Sequence, residues 1–405
     1  MYHRCPKSNQ WLKEGENFEY FMDPLMALRE GYAIPLEFWL ALLQQRLNKI
    51  LEIYLNGGMI RAVCLLWPWQ GVRYSSRLKV LLDECTRITQ VISEREATKL
   101  KVPEQMSSYK IAIWISQAYA LFISQIQQIQ PPKGATVSLL GQSFEDWSCK
   151  ATRTRFYPVI SSLRQRLAKY PGIREIVIHG SMATLDYIPG CSDLDVILFI
   201  QDKMVLKPRY LQALRDRIIG LRSCLYAVDP LQHHGYGFLT EIEGSYYPQS
   251  YLPFAVYGEA LRLISRDTLV LQERDCWMDV LSAMWDSIQY LRKIVSGEIS
   301  PRTLYDWKVF LQIIQLMPVL YYQARYGEFI KKKDSFEKVR AEFTVEQWRP
   351  VEEATHLRST WPYTPINLLG VEKVILQRHP LLYGLLHRFV KRQVFTTLYE
   401  CIKEG

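Results

Sequence analysis

The sequence contains no CxxC pair and no histidine pair at zinc spacing. Its eight cysteines, Cys5, Cys64, Cys85, Cys149, Cys191, Cys224, Cys276 and Cys401, are widely scattered. That excludes the zinc-ribbon and zinc-finger classes. An even count permits disulfides, but a chain of 405 residues needs no staples, so reduced thiols in a cytoplasmic setting are expected. The opening MYHRCPKSNQW lacks the apolar core of a secretory signal. A membrane-length apolar run is also missing: the nearest, Ile111 to Ser124, is short and broken by Ser116 and Gln117. The expectation is a soluble chain with no membrane partner. No internal repeat or low-complexity tract occurs. Long charge runs are absent too, Lys331-Lys332-Lys333 being the only three consecutive basic residues. The net charge of +9 is therefore spread among mixed charges. It is compatible with a polyanionic partner, nucleic acid included, but reads more readily as a solvated face than as a dedicated nucleic-acid stripe.

What is present is material for a core, with 48% hydrophobic residues against 22% charged. The length suggests two or three domains. Most of the 11 Trp and 25 Tyr are read as packing rings. Residues 1–135 read as a helical domain. From Leu36, the spacing of Trp39, Leu40, Leu43, Leu47, Ile50, Leu51 and Tyr54 predicts one face of a helix, closed by Asn56-Gly57-Gly58. Further helices are expected over about Ser76–Glu96 and Ser107–Gln130, and Pro131-Pro132-Lys133-Gly134 marks a boundary.

Residues 136–270 change character. A helix is expected over Arg155–Lys169, then a turn at Pro171-Gly172 and a buried strand through Ile173–His179. LDVILFI reads as a second strand, Lys207–Arg222 as an amphipathic helix, CLYAVDP as a short third strand, and HGYGFLTEIE as a further apolar segment. Residues 271–405 read as helical again. Ser300-Pro301 and Asp334 with Glu337 look like helix starts, Pro318 should kink or break its helix, and a last helix should cover Leu381–Lys403. The fold class is α+β, a mixed sheet with helices between two mostly helical regions.

The chemistry concentrates in IREIVIHGSMATLDYIPGCSDLDVILFI. Gly180-Ser181 closes one buried strand, and Asp193-Leu194-Asp195 opens the next. On a strand residues i and i+2 point the same way, so Asp193 and Asp195 are expected to project together from one face. Two carboxylates so placed repel unless a cation lies between them, and oxygen ligands suit Mg2+ or Mn2+. The Gly180-Ser181 turn allows close backbone approach to phosphate oxygens.

An apolar strand, Gly-Ser, a spacer and an Asp-x-Asp among apolar residues together resemble the polymerase-β-type nucleotidyltransferase superfamily, over Ile173 to roughly Glu243. The resemblance implies an enzyme that moves a nucleoside monophosphate, AMP from ATP being the commonest case, from an NTP to an acceptor hydroxyl. It implies two metal ions on Asp193 and Asp195, with Gly180 and Ser181 at the phosphates. The family's third carboxylate falls on Asp229, in Tyr226-Ala227-Val228-Asp229. The following Pro230 is awkward for a central strand, so Glu241 and Glu243 stay open. Ser192 is counted with the nucleotide-holding residues, although capping its own loop is the more ordinary role. Lys332, in the basic run before Asp334, is the candidate triphosphate lysine of the helical half, against a plain solvated linker. His179 reads as a packing residue. The pair His233-His234 is read as structural or phosphate-adjacent rather than metal-binding.

Two other functions stay open at this point. One is a non-catalytic nucleotide-binding regulator, or a toxin–antitoxin-type interaction protein, keeping the fold and working through its helical regions, by a protein partner or a homo-oligomer. The other is an RNA-directed nucleotidyltransferase, motivated by the basic excess.

Overall fold

The structure, a computed structural model, describes residues 36–57 and 76–359, apart from short internal stretches (130–133, 140, 153, 189–191, 230–231, 233, 265–267) and most of 275–303. The expectations for Ser300-Pro301 and for Leu381–Lys403 lie outside the described residues. In chain order the helices and strands are α1 (Leu36–Leu55), α2 (Ser76–Ile92), α3 (Glu94–Ala97), α4 (Ser108–Ile126), β1 (Thr136–Ser138), β2 (Gln142–Ser143), α5 (Phe144–Ala151), α6 (Tyr157–Leu167), β3 (Ile173–His179), α7 (Ser181–Thr184), β4 (Asp195–Ile200), α8 (Asp202–Leu206), α9 (Pro208–Ile219), α10 (Arg222–Val228), β5 (Gly237–Thr240), α11 (Glu241–Ser245), α12 (Phe254–Tyr257), β6 (Leu261–Arg262), β7 (Val270–Gln272), α13 (Leu304–Tyr326), α14 (Lys332–Arg340) and α15 (Val345–Ser359). The class is α+β, as expected. Among the described residues no helix is long and apolar enough to cross a membrane.

The five-stranded sheet has the order β2-β6-β3-β4-β5. β3 is antiparallel to β4 and to β6, whereas β4 and β5 run parallel. A parallel pair needs a crossover, and α8, α9 and α10 supply it. Alternation sorts the strands' side chains onto two faces. Ile176, Ile178, Val196, Leu198, Ile200 and Phe238 enter a core shared with α1, α2, α4 and α9. Val177, Ile197, Phe199 and Leu239 enter a second cluster closed by Tyr247 and Tyr257. Near-continuous apolar strands are what burial on both faces demands.

Helix α1 buries Trp39, Leu40, Leu43, Leu47, Ile50, Leu51 and Tyr54, the predicted stripe. It ends at Gly57, whose φ of 68° is the left-handed conformation the Asn-Gly pair was expected to adopt. Asn56 does more than end a helix. Its amide donates to Tyr236 O (2.8 Å) and accepts from Tyr236 N (2.9 Å), and Asn48 donates to Phe238 O (2.7 Å). Edge groups at β5 are thereby satisfied by side chains of α1.

Three local expectations are corrected. CLYAV is a helix (α10), not a strand; a short apolar run carries no usable period, and Leu225 and Val228 are buried at helical spacing. Helix α13 continues through Pro318 without the expected break. α14 starts at Lys332 with Lys331 as its cap and no side-chain capping bond, so Asp334 opens nothing.

Candidate active site

β3 and β4 set the frame. Their antiparallel register places His179 opposite Asp195, at the end of β3 where the chain turns through Gly180 into α7. Gly180 has φ 67°, and a Cβ there would meet Asp195 Oδ2 at 2.8 Å. Only glycine therefore lets the Gly-Ser turn close over that carboxylate. Ser181 is the first residue of α7.

Asp193 differs from expectation in its backbone. β4 begins at Asp195, so Asp193 lies in the loop before the strand and does not reach the site by the i, i+2 alternation of a pleat. The loop holds it by other means. Ser192 Oγ accepts from Ile188 N (2.9 Å), which gives Ser192 the loop-capping role. The buried Gln232 amide clamps Leu194 between them, accepting from its N–H (3.1 Å) and donating to its carbonyl (3.2 Å). Asp193 and Asp195 still meet at one point: His234 Nε2 lies 2.8 Å from Asp195 Oδ1 and 3.5 Å from Asp193 Oδ2.

A third carboxylate stands beside Asp193, that of Asp229, the fully buried C-cap residue of α10. It joins Asp193 through Lys308, whose ammonium donates to Asp193 Oδ1 and to Asp229 Oδ2. Glu241 and Glu243 are excluded from this role by topology. β5 runs parallel to β4 with Thr240 beside Ile200, so both glutamates follow the far end of the sheet from Asp195. Five residues of strand separate the two ends, about 17 Å. There Glu241 pairs with Arg174 (2.9 Å) on the wall of a cavity of about 200 Å3. Glu243 is buried in a capping box with Thr240 and accepts from the Tyr119 hydroxyl (3.0 Å).

Lys308 was not legible as a site residue. It belongs to α13, 115 positions from Asp193, in a stretch the sequence marks only as a helix. His234, read as structural or phosphate-adjacent, is a member of the cluster; His233 lies outside the described residues. Lys332 sits half-buried in the first turn of α14, and its neighbour Lys331 pairs with Glu259. The lysine that reaches the aspartates is Lys308.

Side chains of Lys308, Asp193 and Asp229 are 4%, 6% and 0% exposed, against 28% for Asp195 and 34% for His234, so the cluster opens to solvent on the Asp195–His234 side. Burial alone would raise the pKa of Asp195, but the hydrogen bond from His234 and the charges of His179 and His234 bring it down to about 2. Burial would lower that of His234, yet its two aspartates push it well above the ordinary histidine value. Burial pulls His179 down, partly offset by Asp195. For Asp229, burial and the nearby Asp193 charge outweigh Lys308 and raise it. Burial works against the Lys308 ammonium, and the two carboxylates more than restore it.

Three carboxylates, two from the loop running into β4 and one from the end of α10, fit a Mg2+ or Mn2+ site in donor chemistry. Among the described residues no three His, Cys, Asp or Glu side chains stand arranged as a metal cage, and the point on which Asp193 and Asp229 converge carries an ammonium. A cation belongs there; in this conformation it is Lys308. Compared with family models, with curated proteins and with solved structures, the chain matches none.

Proposed function

We propose that this cluster is the catalytic centre of a nucleotidyltransferase, which moves a nucleoside monophosphate, with ATP as the first donor to try, onto an acceptor hydroxyl and releases pyrophosphate. The observation that carries the reading is the Gly180–Asp195 contact: a positive-φ glycine turn folded against a carboxylate that shares His234 with Asp193, which Lys308 in turn joins to the buried Asp229.

Asp193, Asp195 and Asp229 would hold Mg2+ or Mn2+, two ions in the full reading, whose chemistry is neutralisation of the triphosphate and a lowered pKa at the acceptor hydroxyl. The chain's own residues do the positioning. Asp195, ionised down to about pH 2, presents an oxygen acceptor throughout the physiological range. His234 fixes that carboxylate's orientation, and Gln232 fixes the loop between the two aspartates. The Gly180-Ser181 turn offers backbone with no Cβ in the way. Such positioning, with charge matching, supplies most of the acceleration in transfers of this type.

Incubation with each α-labelled NTP, Mg2+ and a cell extract tests the proposal by label transfer and pyrophosphate release. Asp195→Asn should lower transfer by about 100-fold or more at a temperature where the variant stays folded, the lost ion pair with His234 lowering its melting temperature only in part, since Asp195 is the most exposed of the three carboxylates. Full transfer by Asp195→Asn would refute it. The ammonium on Asp193 and Asp229 also supports a second reading, a protein that binds nucleotide without transferring it. Saturable Mg-ATP binding with no pyrophosphate release by any NTP would select that one. Steeply salt-dependent RNA binding would instead identify the acceptor as nucleic acid.

A further inference from the structure

The two most buried carboxylates of the cluster are neutralised by a residue of the chain itself, and that has a consequence for how a metal can enter. We infer that Lys308 is a built-in counter-cation that makes the site refuse a free divalent ion and accept it only together with a polyphosphate. The inference rests on the metal-and-nucleotide reading above.

Lys308 Nζ bridges Asp193 Oδ1 and Asp229 Oδ2, and all three side chains are 6% exposed or less. A divalent ion arriving alone must take those oxygens from the ammonium. That exchange strands a lysine charge in the interior, where an unpaired ion is strongly unfavourable. A metal bound to polyphosphate brings the missing partner with it. As Asp193 and Asp229 turn to the metal, phosphate oxygens receive the displaced ammonium, so every charge stays paired. Lysine suits the exchange: its head is a point charge with three donors on a flexible four-carbon stem, so it can re-aim while α13 stays in place. The solvent-facing side of the cluster, at Asp195 and His234, leaves the phosphates a way in. Metal and polyphosphate thus bind with positive coupling, and Lys308 is the positioning residue that creates it.

Equilibrium dialysis of Mn2+ against the full chain, with and without inorganic tripolyphosphate, tests this alongside thermal melting. The wild type should retain Mn2+ only when tripolyphosphate is present, and Mn2+ alone should leave its melting temperature unmoved. Lys308→Met should bind Mn2+ alone at least about tenfold more tightly than the wild type does, and gain less from tripolyphosphate. Lys308→Gln, which keeps a donor in the gap, repeats the measurement if the methionine variant does not fold. Equal affinity of wild type and variant for free Mn2+ overturns the role of Lys308 while leaving the metal centre standing. So does a wild-type melting temperature that rises as much with Mn2+ alone as with the pair. No retention of Mn2+ by any form, even with tripolyphosphate, removes the metal centre and this inference together.

Discussion

Gly180 carries two constraints at once: a positive φ and a missing Cβ that would sit 2.8 Å from Asp195 Oδ2. Gly180→Ala should cost about 1–3 kcal/mol from the backbone alone, because φ 67° with ψ −156° is a conformation that essentially only glycine adopts. It should lower nucleotide transfer far more than that loss explains, because the carboxylate must shift. Urea unfolding beside initial rates separates the two effects; a rate loss no larger than the fraction unfolded would contradict the account. Glu243 gives a prediction of a different kind. Burial pushes its carboxyl up from 4.5 to about 7, against the hydrogen bonds from Thr240, Tyr119 and Asn48. Between those values the folded chain holds a proton that the unfolded chain has released. The contribution to stability is therefore complete below 4.5 and is lost as pH rises through about 7. The urea midpoint of the wild type should fall across that window relative to Glu243→Gln, and parallel pH profiles would contradict it. At this scale the sequence was legible where the chemistry is local. Gly180, Ser181, Asp193 and Asp195 lie within one short stretch, whereas Asp229 came from the family resemblance, which put it on a strand where the chain forms the end of α10. Lys308 was missed because nothing near it in the chain marks it; only tertiary contact makes a lone lysine on an apolar helix a partner of two aspartates.

Among elements, the strands that present the site are pinned from behind. Glu175, fully buried in β3, accepts from Ile176 N (2.9 Å), Ile264 N (2.8 Å) and Arg262 Nε (3.0 Å), tying β6 to β3. Its replacement by alanine leaves a largely buried guanidinium and two backbone donors without their carboxylate. The expected cost is about 3–5 kcal/mol, read as a drop in the urea midpoint; a change under about 1 kcal/mol would show that water reaches this corner. Element types were readable where a helical period was sustained, as in α1, and where isoleucine and valine filled a short buried run, as in β3 and β4. α10 was misread because CLYAV is too short and too uniformly apolar to show one. Pro318 is a different failure. Local propensity predicts a break, yet Met317, Val319, Leu320 and Tyr321 beside it are buried, and packing on both sides of the proline holds α13 together.

For the molecule as a whole, helices distant in sequence complete the sheet's edge and the site's charge. Asn48 and Asn56 of the first helical segment bond backbone at the β5 edge, and Tyr119 reaches Glu243. Asn56→Ala should leave the buried Tyr236 N–H and carbonyl without that partner and destabilise the chain by about 1–3 kcal/mol, with nucleotide transfer at permissive temperature little changed. Loss of transfer without loss of stability would instead assign α1 a direct part in the chemistry. From the other end of the chain, α13 delivers Lys308 to Asp193 and Asp229. The most direct test of the central claim is anomalous scattering from crystals grown with Mn2+ and a non-hydrolysable ATP analogue. A manganese peak bounded by Asp193, Asp195 and Asp229, with the Lys308 head moved onto the phosphates, is the predicted result. Well-ordered nucleotide bound elsewhere, with Lys308 still seated between its two aspartates and no manganese beside them, would contradict it.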